Sequence, residues 1–280
     1  MIIRFSIFLD KKLLTNVIVD FLEPLTSRLI QSNQVKYVDY SINFEGLWVL
    51  FSINSHKIRE EIINDISSSW ETFSSSFKTN FNYNEAIINT LFLKYPNGYL
   101  KFYNYNINEA DQELSPRISK FTMGNIQILK YFNDNKDEEN KIILFFIFLY
   151  CIGGYSFFEI NKICSVLIDS FSFNNENKKN IVVRAKNVVN KNYKELKRYF
   201  DDCFFELSKF NQDSSLVSSD WQLVSKWKFF YGNLINTDSI KEEDRLINLF
   251  DKYKNQLMIS SGEAYFILEI IHQTVGESIS

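Results

Sequence analysis

Tyr37-Val-Asp-Tyr-Ser-Ile-Asn-Phe-Glu-Gly-Leu-Trp-Val-Leu-Phe-Ser-Ile53 is the stretch whose reading decides the fold class. Apolar and polar side chains alternate on both sides of Glu45-Gly46. The pattern predicts two strands, Val35–Phe44 and Leu47–Ile53, folded as a hairpin. Upstream, Ile3, Phe5, Ile7 and Leu9 alternate with Arg4 and Ser6, which predicts a half-buried strand over Ile2–Leu9. Between them Leu14, Ile18, Phe21, Leu22, Leu25 and Leu29 recur at helical spacing over Lys11–Gln31, and Pro24 predicts a kink or break.

Ser55 is placed to cap a helix running to about Trp70, and the Ser-rich stretch Ser67–Thr79 reads as a loop. A second, very aromatic hairpin follows, Leu91–Tyr95 and Tyr99–Tyr105 around Pro96-Asn97-Gly98. Beyond about Ser115 the long segments read as helices: Ile118–Phe132, Glu138–Ile152, Ser156–Phe171, Lys178–Lys209, Ser219–Ile235, Lys241–Leu257 and Gly262–Val275. The expected class is α+β. A sheet-bearing portion over 1–112 precedes a helical portion over 113–280, the two packed as one compact unit.

Composition narrows the functional classes. Hydrophobic residues make up 45% of the 280 and charged residues 23%, as in folded globular proteins. The net charge of −3 argues against nonspecific nucleic-acid binding by the whole surface, so no DNA partner is expected. Ile142–Ile152, the longest apolar run, falls well short of the roughly 20 residues a bilayer requires. No secretory signal is visible and the three cysteines lack metal-ligand spacing, so a cytoplasmic protein with free thiols and no membrane contact is expected.

Strong catalytic motifs are absent. His56 and His272 have no His or Cys at ligand spacing, so no metal is expected. Gly153-Gly154 lacks the Lys-Ser/Thr of a phosphate-cradling loop and reads as a helix stop. Ser260-Ser261-Gly262-Glu263 has the chemistry of a helix N-terminus. On the helix Lys178–Lys209, Arg184, Lys191, Lys194 and Arg198 fall within an arc of about 80° at 100° per residue. A solvated helix face is the plain reading of that cluster, and a contact for an acidic peptide or an RNA phosphate is the functional one. Tyr95, Tyr99, Phe102, Tyr103 and Tyr105 could face the core on one side and a peptide on the other.

The layout resembles the C-terminal domain of lanthipeptide dehydratases, also found as stand-alone proteins in thiopeptide biosynthesis. Asn43-Phe-Glu-Gly-Leu-Trp-Val-Leu-Phe-Ser-Ile53 is similar to that family's "Gly, His, Leu, Arg, Leu, Arg" strand. Ile118-Ser-Lys-Phe-Thr-Met-Gly124 is similar to its "Glu, Arg, Tyr, Gly" element. Gly153–Glu159 stands at its helix junction, and Leu257–Gly262 stands where eliminating members have "His-Met, two residues, Asn-Arg", with Glu269 matching a following Glu. The eliminating members use the arginines and histidine on a glutamate ester. Here only a cation at Lys120 remains, and without a guanidinium fork bidentate carboxylate recognition is lost.

The resemblance therefore implies the pyridine synthases built on this fold, which join two dehydroalanines in a formal [4+2] cycloaddition and then lose water and the leader peptide. It implies no cofactor and a modified precursor peptide with an acidic leader as partner, with other enzymes of the pathway as possible companions. A pocket is expected between the sheet and the helical portion. Trp48 would wall flat rings, and Ser260 and Ser261 would bond a substrate amide. Tyr99, Tyr103 or Lys120 would donate a proton, and Arg184, Lys191, Lys194 and Arg198 would hold the leader. Glutamate elimination with altered residues and a non-catalytic peptide-binding partner stay open as alternatives.

Overall fold

The computed structural model describes residues 1–43, 46–76, 86–88, 94–96, 98–103, 114–134, 139–153, 156–212 and 241–279. The fold is α+β, as the hydrophobic alternation predicts. The chain divides into two units. One comprises Met1–Asn135 with Asn255–Leu257, the other Lys136–Lys254 with Met258–Ser280.

The first unit is built on an antiparallel sheet of β1 (Ile2–Phe8), β2 (Val35–Asn43), β3 (Gly46–Ile53) and β6 (Tyr99–Tyr103), in the order β2-β3-β1-β6. Ile3, Phe5, Ile7, Val38, Tyr40, Leu47, Val49 and Phe51 are buried on one face. The hairpin closes at a residue that must be glycine. Gly46 has φ 138°, and a Cβ there would lie 2.3 Å from the carbonyl oxygen of Ile7.

The edge of β2 is covered by polar side chains. Ser119 Oγ accepts from Val38 N at 3.0 Å, and Gln256 Nε2 donates to Tyr40 O at 2.6 Å. Asn255 accepts from Ile42 N at 2.8 Å and donates to Ile42 O at 2.5 Å. Satisfying these outward groups blocks pairing with another chain.

The break expected at Pro24 takes a different form. Helix α1 (Lys11–Asn16) widens into a π segment (Val17–Leu22), which leads into α2 (Glu23–Gln31). Glu23 N–H reaches back five residues to Ile18 O. Pro24 has no N–H to give and its ring crowds the carbonyl four residues back. The wider turn meets this just before it, and Pro24 falls in the first turn of α2, where a missing N–H is tolerated.

The loop expected at Ser67–Thr79 is corrected as far as Ser76. After a short 3₁₀ turn (His56–Ile58) capped by Ser55, α3 runs from Arg59 to Ser76. Its hydroxyls fold back on the helix: Ser67 donates to Ile63 O at 2.8 Å, Thr72 to Ser68 O at 2.9 Å and Ser75 to Thr72 O at 2.7 Å. A Ser-rich stretch is therefore compatible with a helix when its side chains bond their own turn. Residues 77–79 lie outside the described residues.

The second hairpin is also corrected. β5 (Lys94–Pro96) pairs with β4 (Ala86–Ile88), while β6 pairs with β1. Pairing β6 with β1 places Phe102 against Phe5, ring centroids 5.8 Å apart. Tyr105 lies outside the described residues. Helix α4 (Pro116–Asp134) packs against β2 and completes the first unit.

The second unit consists of α5 (Glu139–Cys151), α6 (Phe157–Asp169), α7 (Asn175–Gln212), α8 (Lys241–Gln256, its last two residues in the first unit) and α9 (Ser261–Ile279). Within this unit α9 packs on α5, α6 and α7. Leu144 through Ile152 are buried, so α5 is apolar on every side. Phe146 stacks on Phe200 at 4.3 Å and Phe148 on Tyr253 at 4.1 Å. Gly153, at φ 138°, follows the end of α5 as expected of a helix stop. Ser156 caps α6 reciprocally: its Oγ accepts from Glu159 N at 3.2 Å and donates to the Glu159 carboxylate at 3.0 Å. The helix expected over Ser219–Ile235 lies outside the described residues. Among the described residues no helix is long and apolar enough to cross a membrane.

Candidate functional site

Strand alternation divides the sheet into two chemically different faces. Opposite the buried face, β1 presents Arg4 and Ser6, β3 presents Trp48 and Leu50, and β6 presents Lys101 and Tyr103. The register sets Ser6 across from both Trp48 and Lys101, and Arg4 across from Tyr103.

These side chains form one cluster. The Trp48 and Tyr103 rings stack at 5.0 Å and 22°. The Arg4 guanidinium lies 4.2 Å from the Trp48 centroid and 5.5 Å from that of Tyr103, and the Lys101 ammonium lies 5.0 Å from Tyr103. Ser6 Oγ and the Tyr103 hydroxyl are 2.9 Å apart and share a hydrogen bond. Ser6 is 1% exposed. Trp48 Nε1 is buried and has no hydrogen-bond partner among the described residues. Chemically the cluster offers two cations, a hydroxyl pair, electron-rich rings and an N–H donor, which suits an acceptor-bearing ligand.

Trp48 and Tyr103, drawn separately from the sequence, thus meet. Arg4, Ser6 and Lys101 were not singled out. The one legible signal is the cation at Arg4 within the alternating strand, and a single charge carries no spacing to read. The strand that resembles the arginine-bearing segment directs Leu47, Val49 and Phe51 into the core, leaving Trp48 and Leu50 on the polar face.

The other named residues lie elsewhere. Tyr99 is 45% exposed at the start of β6, its ring 6.1 Å from Phe8. Lys120 is exposed on α4. In the second unit Ser260 caps α9, its Oγ accepting from Glu263 N at 3.2 Å, while Ser261 is the first residue of α9 and exposed. Just ahead, Met258 adopts φ 58°, and Ile259 N–H bonds Lys254 O at 2.9 Å, closing α8 with a left-handed turn usually given to glycine.

Arg184, Lys191, Lys194 and Arg198 are all exposed along α7, and among the described residues none pairs with a carboxylate. Arg184 lies over the Phe266 ring at 5.4 Å, and Arg198 lies 5.4 Å from Tyr199.

On α9, the Tyr265 hydroxyl is pushed up to about 12, first by burial and then by the neighbouring Glu269 carboxylate. Glu269 also accepts from Gln273 at 3.1 Å. Among the described residues no three His, Cys, Asp or Glu side chains converge as metal donors.

No protein-family model matches the sequence, and no curated protein matches it. Solved structures do match. The pyridine synthase TbtD from thiomuracin biosynthesis is 8% identical with a TM-score of 0.66, covering 100% of this chain and 99% of its own. TsrL is 9% identical with a TM-score of 0.60, covering 100% and 95%. The tRNA-dependent lantibiotic dehydratase MibB from Microbispora sp. 107891 is 10% identical with a TM-score of 0.57, and the match takes 99% of this chain but 28% of that one. The chain therefore has the lanthipeptide dehydratase-like fold that this pyridine synthase, TsrL and a part of the dehydratase share.

Proposed function

We propose that this chain is a pyridine synthase of thiopeptide biosynthesis, acting on a dehydrated, ribosomally made precursor peptide. The observation that carries the reading is the end-to-end likeness to TbtD, 99% of whose chain is covered, whereas the dehydratase is matched over 28% of its length. The polar sheet face supports it. Where the resembling strand would carry a carboxylate-binding fork, this chain presents Trp48 and Leu50, suited to flat rings rather than to a glutamyl carboxylate.

Joining two dehydroalanines needs the two alkenes held in reacting geometry, together with modest proton transfer. Trp48 would hold a ring of the substrate. The Ser6–Tyr103 hydroxyl pair can pass a proton between its members, and Ser261 has a hydroxyl free of the capping bond that occupies Ser260. Tyr99 and Lys120, both exposed, are further candidate proton donors. The exposed cations of α7 would hold the acidic leader by charge complementarity.

One observation favours a second reading, glutamate elimination: Arg4 supplies a guanidinium on the same face as Trp48. Two parallel incubations separate the readings. A pyridine synthase converts a dehydrated, azole-bearing precursor and leaves a glutamylated precursor untouched. Release of glutamate from the glutamylated peptide overturns the proposal in favour of elimination. Binding of either peptide with conversion of neither leaves only a non-catalytic partner.

A further inference from the structure

Trp48 is unusual in three ways. Its Nε1–H is buried without an acceptor among the described residues. Leaving a buried donor unmatched is unfavourable, and such groups normally find a partner. Its ring carries Arg4 and Tyr103 on the same side. With Arg4 at 4.2 Å and Tyr103 at 5.0 Å from the indole, their mutual 5.5 Å is too short for opposite faces. Among the described residues no other ring or cation packs on Trp48. Among the described residues the second indole face is therefore left without an aromatic or cationic neighbour.

The surroundings are rich in donors. Ser6, 1% exposed, and Tyr103 share a hydrogen bond beside the indole, so one of the two hydroxyls has a proton to direct elsewhere. Arg4 adds a delocalised cation against the ring.

We infer that Trp48, Arg4 and the Ser6–Tyr103 pair form a recognition platform for a flat ring carrying a carbonyl. The ring lies on the second indole face, and a neighbouring peptide carbonyl, at the indole edge, accepts from the Trp48 Nε1–H, which points outward in the plane of the indole. In chemical terms the ligand is an azole carboxamide within a peptide. This naming of the ligand rests on the pyridine-synthase reading. Arg4 is a positioning residue that fixes the indole plane from its first face. The N–H is covered although the indole as a whole is only half-buried, so the carbonyl reaches it by a local side-chain displacement.

The test uses the full chain labelled with ¹⁵N and a short thiazole-carboxamide peptide containing dehydroalanine as probe. The four tryptophans give separate indole N–H signals, and Trp48→Phe identifies the relevant one. The platform predicts a saturable downfield shift of the Trp48 signal as the probe is added. Trp48→Phe keeps an aromatic ring and removes the donor, and it should weaken probe binding about tenfold. Arg4→Gln should raise KM for the full precursor more than it lowers kcat, and Arg4→Lys should restore part of the loss.

An unmoved Trp48 signal at saturating probe, or probe affinity of Trp48→Phe within twofold of the parent, overturns the platform. Should Trp48→Phe not fold, Arg4→Gln makes the comparison: losing the cation that fixes the indole should weaken probe binding severalfold, and an affinity within twofold of the parent overturns the platform. Failure of the parent reading looks different: the probe binds and shifts the Trp48 signal, yet the full dehydrated precursor is not converted.

Discussion

Tyr253 is fully buried against Phe145 and Phe148, and its hydroxyl finds no partner among the described residues. Burial, with Cys151 nearby, raises its ionisation far above the ordinary tyrosine range, so it stays a neutral phenol. Replacing it by Phe removes an unmatched donor and keeps the rings. Tyr253→Phe should be neutral or stabilising by about 1 kcal/mol in urea denaturation, and a clear loss would reveal a hidden partner. The cysteines permit a second prediction. Cys151, Cys164 and Cys203 are buried and form no disulfide. Burial and Asp202 push Cys203 from 9.0 up to about 12. The folded chain holds that proton more tightly than the unfolded chain. The resulting stability is complete below pH 9 and is lost as pH rises toward 12. Cys203→Ala should flatten the fall in melting temperature above pH 9, and in the native protein at pH 8 all three thiols should resist a thiol reagent until the chain unfolds. At this scale the sequence was informative about chemistry and silent about company. Trp48 and Tyr103 could be picked as aromatics near a strand, but their stacking depends on β6 crossing to β1, which no local pattern announces.

The elements show the same boundary between local and distant causes. The strands of the first hairpin and most helices were legible because their apolar spacing is local. Ser67–Ser76 was not, since loop composition was read from the serines while their bonds to the preceding turn decide the matter. The π segment before Pro24 is likewise a backbone response that side-chain periodicity does not encode. The edge of β2 depends on partners more than 200 residues away. Gln256, with no exposed surface, donates to Asp39, Tyr40 O and Thr122 and accepts from Asn125. Removing it takes a hydrogen bond from each of these groups at once. Gln256→Ala should lower stability by about 2–4 kcal/mol, measured by urea denaturation, and a loss below about 1 kcal/mol would show that water replaces the side chain there.

For the whole molecule, the charge distribution matters more than the total. A net charge of −3 coexists with the basic stripe of Arg184, Lys191, Lys194 and Arg198, whose members lack carboxylate partners among the described residues. Exposed contacts of this type contribute about 0.2–1 kcal/mol each and fade as salt rises. Reversing all four charges should weaken binding of a precursor with an acidic leader at low salt while leaving thermal stability within a few degrees. Unchanged affinity would mean the stripe is only a solvated face. The central claim is catalytic, and mass spectrometry of the dehydrated, azole-bearing precursor before and after incubation tests it most directly. The account predicts a lighter, cyclised product with a pyridine ring and free leader peptide, with no added metal or cofactor. An unchanged precursor mass, with a peptide that a known pyridine synthase of the same specificity converts, would contradict it.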